Sequence, residues 1–431
     1  MGDPLNAAST MSQRAQSLSP SSDPAEKVRD FYERYPYPRP VDSLENYQRL
    51  WKDVQRRRAD YHLYWPDKPY REDYSILVAG CGTSQAAKHA LRWPKAHVTG
   101  IDISATSVRC TEELKRKYDL KNLDIHQLPI DQIDELGMSF DQIICTGVLH
   151  HLSNPDEGLR ALRNALKQDG AMQLMVYAPY GRAGIYMLQE FCKRLGICAT
   201  DEGIQELIAA LRELPPGHPL EILLRKARDF QHEATLADAL LHPQDRAYSV
   251  PQLFKFIEEA GLKFGRWVKQ APYSLHCGVI AAIPQVARMA QLALVEQYAS
   301  VELFRGTMIR HSVVVYRDDG SEVGRPVSFA GNAWHSYVPI RMSDTICVQE
   351  QLPTGAAGVL INQTHTDSDL FMTLDLAEKH IFDAIDGERT VGAIANTVRH
   401  SSGEKSRMEA IQSFLKRLWW HDQVVFDISQ K

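Results

Sequence analysis

A Rossmann-like, doubly wound α/β sheet carrying a helical cap and followed by a smaller α+β region is what this 431-residue sequence predicts. Three observations carry the prediction. Ser75 to Ala79 is a short apolar run that feeds into Gly80-Cys81-Gly82 and then a helical pattern from Ser84 to Trp93. A second apolar run, Ala96 to Ile101, ends in Asp102, about 20 residues beyond the glycines, the offset at which an acidic side chain meets a bound ribose. Strand-like and helix-like segments then alternate as far as Tyr177, through helix 104–118, strands 123–126 and 140–145, helix 155–167 and strand 171–177. Such alternation requires a parallel sheet.

Strand, tight glycine turn and helix make a nucleoside-binding βαβ unit, and the loop's omissions narrow the nucleoside. A dinucleotide site wants a third glycine where this chain has Gln85, and no lysine follows the glycines as a P-loop requires. The loop suits a ligand with a ribose and no phosphates.

The segments VAGCGTS (78–84), GIDIS (100–104), FDQIICTGVLHHL (140–152) and DGAMQLMVYAP (169–179) together resemble the class I S-adenosylmethionine-dependent methyltransferases, over roughly residues 31–282. The resemblance implies S-adenosylmethionine as cofactor and methyl transfer to O or N of a small-molecule or peptide acceptor. It places Gly80, Cys81, Gly82 and Thr83 against the methionine part of the cofactor and Asp102 with Ile103 at the ribose. Pro129 and Ile130 fall at the adenine, where relatives often carry Gly-Asp and this chain has Leu128-Pro129; Asp131 or the backbone of Ile130 would then serve the ring. Thr146 and Gly147 follow the fourth strand, at the carboxyl edge where ligands of doubly wound sheets bind.

Ser, Pro, Ala and Gln dominate residues 1–24, which reads as a disordered lead-in. Asp23-Pro24 then offers a helix start, and Pro36, Pro38 and Pro40 force an extended path after Tyr35. The segment 31–40 presents several aromatics on this stiff stretch. By resemblance it is a lid over the cofactor, with Tyr35 as a contact; aromatics packed into the core are the alternative. A long helix over 44–60 is expected next.

After Pro179 a helical tract, about 183–241, reads as a substrate cap. PQLFKFIEEAG resumes the fold, and 263–269 with 275–282 are expected as the last antiparallel pair, closing a methyltransferase domain over 25–282. Residues 283–303 read as a linker helix and 304–364 as a β-rich accessory domain. Residues 365–431 read as a winged-helix-like domain, in which IDGERTVGAIA (385–395) is similar to PqqD-like peptide-binding domains. The alternative function is therefore a peptide- or protein-recognition or regulatory protein on a cofactor-binding scaffold, with a possible protein partner at the C-terminal domain.

On the acceptor side, His150 or His151 offers an imidazole to remove a proton, His150 being preferred. Tyr180 and Arg182 suit a polar or carboxylate-bearing substrate, and HPQDRAY (242–248) adds a polar run. The seven cysteines are scattered without C-x-x-C spacing, so neither disulfides nor a metal is expected. A net charge of -5 gives no pull toward nucleic acid or an anionic membrane, and Arg56-Arg57-Arg58 reads as a solvated helix face. No signal peptide or membrane-spanning run is legible, so the expected compartment is cytoplasmic.

Overall fold

The computed structural model describes residues 23–221, 232–320, 323–397 and 404–430; the expected lead-in as far as residue 22 and part of the cap tract lie outside them. Seven strands form the main sheet: β1 (Ser75–Ala79), β2 (His97–Asp102), β3 (Leu123–Gln127), β4 (Phe140–Thr146), β5 (Leu166–Tyr177), β6 (Leu262–Trp267) and β7 (Arg310–Arg317). Their order is β3-β2-β1-β4-β5-β7-β6. Strands β1 to β5 run parallel, and β7 lies antiparallel to both β5 and β6.

The period of two in β1 sorts its side chains between two cores. Ile76 and Val78 meet the helix Gln85–Arg92 through Ala86, Ala87 and Ala90. Leu77 and Ala79 share the opposite core with Leu159 and Leu162 of Pro155–Ala165 and Leu253 and Phe256 of Val250–Glu259. Both faces are therefore covered, as a parallel sheet requires. The first helix after the glycines sits close, since a Cβ added at Gly100 in β2 would come 2.7 Å from the Ala86 methyl.

The strand that completes the sheet is not the expected one. Residues 275–282 form no strand; Gly278 takes φ +65° and the chain turns in a short 3₁₀ segment over Gly278–Ala282. The partner of β6 is HSVVVYR, expected in a separate β-rich domain, and it sits between β5 and β6 as β7. The physical reason is burial: Val313, Val314 and Val315 are all fully buried, and a continuous apolar run is the signature of a strand covered on both faces. The expected boundary at residue 282 consequently falls inside the sheet's chain path. Nor is 283–303 a bare linker: it forms helices Val286–Met289 and Leu294–Arg305, whose Ala299 and Val301 enter the main core. The expected helix over 44–60 is divided into Glu45–Trp51 and Val54–Tyr64, because Asp53 adopts an extended conformation and caps the second helix by accepting from the Gln55 amide.

Beyond β7 the chain forms β8 (Val338–Arg341), β9 (Thr345–Val348), β10 (Gly358–Asn362) and β11 (Phe371–Leu374), then helices Leu376–Asp383, Val391–Thr397 and Glu404–Trp420, and finally β12 (Val424–Asp427). Strands β9 to β11 form an antiparallel sheet of their own, while β12 pairs with β8. That ladder joins the two parts expected as separate domains. Val338, Ile340 and Val425 pack toward Tyr61, Tyr64 and Val314 of the main fold; Val424 and Phe426 face a second core built on Phe414 and Leu418.

Candidate active site

The glycine loop is shaped by backbone demands. Gly80 and Gly82 take φ +66° and +52°, where a side chain is strained. A Cβ on Gly80 would lie 2.3 Å from a Val148 methyl; one on Gly82 would lie 2.8 Å from both the Tyr37 carbonyl and Pro38 Cδ. Asp102 ends β2 directly below. One carboxylate oxygen accepts from the Gly82 amide at 2.7 Å and the other from the Ser104 amide at 2.9 Å. Burial pushes the Asp102 pKa up, and these amides pull against it.

A cavity of about 640 Å³ opens along this carboxyl edge. Of the residues expected on the cofactor side, Gly80, Gly82, Asp102, Ile103, Pro129, Ile130, Thr146 and Gly147 line it, as does Asp131. Three do not. Cys81 turns into the core under the helix Gln85–Arg92, where burial drives its thiol pKa well up. Thr83 is fully buried and donates its hydroxyl to the Pro38 carbonyl at 2.7 Å, tying the aromatic segment across the loop. Tyr35 points away, toward Ile204 and Ala237 of the cap, its hydroxyl donating to the Ala199 carbonyl at 3.3 Å.

Helical spacing explains the displacement of Tyr35. On the helix Pro24–Arg34, Ala25, Val28 and Tyr32 recur at i, i+3 and i+7 and face the cavity, so Phe31 and Tyr35 face the cap instead. Tyr37 and Pro38 then complete the wall. Glu33 fastens this strap: its carboxylate accepts from the Ala105 and Thr106 amides and, at 2.6 Å, from the Thr106 hydroxyl, capping the helix Ala105–Lys117 from outside. Burial is the largest single influence and raises the Glu33 pKa, but those donors together outweigh it and hold it below the usual value.

The other end of the cavity is made of side chains from distant parts of the chain: Tyr32, His151, Tyr177, Arg182 and Asp238. Asp238 lies in the cap helix Glu233–Leu240 and accepts from the Tyr32 hydroxyl at 3.2 Å and the Tyr177 hydroxyl at 3.5 Å. Burial raises its pKa, His151 opposing. Arg182 lies 3.4 Å over the Tyr177 ring, donates to the Tyr186 hydroxyl at 3.2 Å and pairs with Asp245 at 3.3 Å. The His242 ring lies against that of His151, centroids 3.9 Å apart and tilted by 36°.

Of the expected acceptor-side residues, Arg182 is at the cavity wall, held by its partners. His150 is not: it is fully buried behind Tyr177, their rings 3.9 Å apart, and neither of its nitrogens has a hydrogen-bond partner among the described residues. Burial, with His151 adding to it, drives its pKa far below the usual imidazole value. A nitrogen that meets no acceptor cannot take its proton; the neighbouring His151 lines the cavity. Tyr180 is exposed and outside the wall. Sequence reasoning missed Asp238, which had no signal beyond an acid in an apolar helix, and it placed the aromatic contact at Tyr35 when the helical repeat favoured Tyr32.

Comparisons with known proteins agree with this architecture. Residues 77–172 match the methyltransferase domain family. An uncharacterized protein of Synechococcus sp. is 36% identical over 198 residues, 44% of this chain and 47% of that protein. A tRNA U34 carboxymethyltransferase of Desulfotalea psychrophila is 30% identical over 134 residues, 31% and 39% of the two chains. The chain thus spans less than half the length of these relatives. The solved structure of PKMT2 from Rickettsia typhi shares the fold with a TM-score of 0.61 at 14% identity, covering 87% of this chain and 75% of that one; PKMT2 has also been solved in complex with AdoHcy. Family match, strand order and glycine loop together show that the chain carries, over and around residues 77–172, a methyltransferase domain of the class I, S-adenosylmethionine-dependent kind.

Proposed function

We propose that this protein transfers a methyl group from S-adenosylmethionine to O or N of a small-molecule or peptide acceptor that reaches the cofactor between strap and cap. The observation that carries this reading is the continuity of one cavity, whose wall runs from Gly80, Gly82 and Asp102 to Tyr32, His151, Tyr177 and Asp238. Donor and acceptor bind in one enclosed space, which direct displacement at a methyl carbon demands.

The residues fit the cofactor. The two glycines hold the loop in its left-handed turn, pressed against Val148 on one side and Tyr37 and Pro38 on the other, while their backbone lines the cavity, and each oxygen of Asp102 keeps a lone pair beyond the amide it already accepts from. A cis-diol matches that pair of oxygens. S-adenosylmethionine, when bound, supplies a methyl carbon activated by the adjacent sulfonium. The chain's own residues bind, orient and exclude water: the strap, held by Thr83 and Glu33, forms the wall above the loop, and the apolar Leu128, Pro129 and Ile130 offer flat contacts for a base.

Calorimetric titration with AdoHcy tests the reading. Asp102→Ala should weaken binding by about 1.5–3 kcal/mol, the scale of hydrogen bonds to a charged group. An unchanged affinity refutes the placement of the ribose at Asp102.

A further inference from the structure

Asp238 is only 4% exposed, yet its partners are two phenol hydroxyls at 3.2 and 3.5 Å; among the described residues no ion pair reaches it. The charges of a protonated His151 and of Arg182 act on it only from beyond ion-pair distance. A buried carboxylate with no cation in contact is costly, and in a ligand cavity it marks the place where the ligand brings one. None of the cavity's own cations pairs with it among the described residues. Arg182 is spent on Asp245 and Tyr186, and the Lys269 ammonium donates to the Thr364 carbonyl. Arg310 lines the cavity too, but it is exposed to solvent and makes no ion pair with Asp238.

Beside Asp238 stand two imidazoles whose hydrogen bonds settle their neutral tautomers. His151 Nδ1 lies 2.7 Å from the Gln244 carbonyl, so in the neutral ring Nδ1 carries the hydrogen and Nε2 presents a bare lone pair; Nε2 is buried and has no hydrogen-bond partner among the described residues. His242 is the reverse: Nδ1 accepts from the Gln244 amide at 3.0 Å, so Nε2, which also meets no partner among the described residues, bears the hydrogen. His151, Asp238 and His242 lie with their polar atoms within 4.8 Å of one another, a grouping that resembles a metal trio. The tautomers argue against one, because a metal needs lone pairs from both imidazoles and His242 offers an N–H.

What the cluster does offer is a set of acceptors: the Asp238 carboxylate, the remaining lone pairs of the Tyr32 and Tyr177 oxygens, and His151 Nε2. We propose that the acceptor is a protonated amine, bound at its ammonium by Asp238, Tyr32 and Tyr177 and deprotonated by His151 Nε2. The inference rests on the methyltransferase reading and names the acceptor of that same site. In the step it implies, R–NH₃⁺ gives one proton to His151 Nε2. The freed nitrogen lone pair forms the N–C bond to the methyl carbon, and the C–S bond breaks with its electron pair remaining on sulfur. The product leaves as R–NH₂⁺–CH₃, and His151 returns its proton to water.

The test uses the full chain saturated with AdoHcy, with n-butylammonium as probe and n-butanol as its uncharged counterpart. Wild type should bind butylammonium at least tenfold more tightly than butanol. Asp238→Asn should remove at least tenfold of that binding, and Tyr32→Phe about threefold, with AdoHcy affinity and melting temperature unchanged in both. With S-adenosylmethionine, mass spectrometry should find N-methylbutylamine; His151→Gln should lower kcat at least thirtyfold while KM for butylamine stays within threefold. Equal binding of butanol and butylammonium to wild type overturns the inference, and that arm needs no variant to fold. So does butylammonium affinity that survives Asp238→Asn. A loss of AdoHcy affinity in Asp238→Asn overturns it too, by assigning the carboxylate to the cofactor. Wild type that binds AdoHcy but no butylammonium refutes the amine alone; wild type that fails to bind AdoHcy refutes the methyltransferase reading as well.

Discussion

The two ends of the cavity are built by opposite strategies. At the cofactor end the wall is mostly backbone: Gly80 and Gly82 with their positive φ angles, amides aimed at Asp102, and a proline-stiffened strap laid across the loop. Most of it comes from one strand-turn-helix-strand unit. At the proposed acceptor end the wall is polar side chains, Tyr32, His151, Tyr177, Arg182 and Asp238, spread over 206 residues of chain and buried at a desolvation cost that the described residues leave partly unmet. The difference teaches how one fold can keep its donor and vary its acceptor. A backbone cradle depends on sequence mainly through its glycines, whereas a side-chain constellation is rewritten by single substitutions in a cap that the sheet does not need.

The sharpest way to break the comparison is to remove what both ends share. A chain ending at Ala282 lacks β7 and its three fully buried valines, each contributing about 1.5–3 kcal/mol by burial. Together these approach the whole stability of an ordinary domain, about 5–15 kcal/mol. Such a chain should show no cooperative melting transition by circular dichroism and no AdoHcy binding. Cooperative melting with retained binding would show that the cofactor end stands without the later strand.

A smaller effect separates the ends. Gly82→Val forces a side chain into a left-handed backbone and toward the Tyr37 carbonyl and Pro38, both 2.8 Å from the new Cβ. AdoHcy affinity should fall at least a hundredfold by calorimetry, with the melting temperature lowered as the strap is displaced. Wild-type affinity would mean that the strap and the loop move apart without consequence for the ligand.

The smallest expected effect concerns pH. Glu33 joins the strap to the helix behind Asp102, and its carboxyl is held below the usual value despite some burial, because Thr106 and the two amides favour the charged form. A carboxyl depressed in the folded state stabilises fully above its unfolded pKa, about 4.3, and loses that contribution as pH falls through the folded value. The melting temperatures of wild type and Glu33→Gln should therefore differ by a constant amount above about pH 5 and converge below about pH 4. A gap that persists in acid would assign the effect to shape rather than charge.

How far the sequence reaches depends on whether the determining interactions are local. The glycine turn, β1 and β2, the acid at residue 102 and the helix-strand alternation to Tyr177 were all legible, because each follows from spacing within about thirty residues: short apolar runs, positive-φ glycines and helix starts. The helix Pro24–Arg34 and the prolines after it were legible for the same reason. The run 310–317 was legible as a strand, but not as the neighbour of β5, since pairing across more than a hundred residues leaves no periodic trace and 275–282 offered an equally apolar partner. Which of two adjacent histidines faces the cavity, whether Tyr32 or Tyr35 does, and that a cap aspartate has no ion-pair partner among the described residues were decided by tertiary packing alone. Burial and hydrogen-bond partners fix those answers, and they exist only once the cap, the strap and the sheet edge have met.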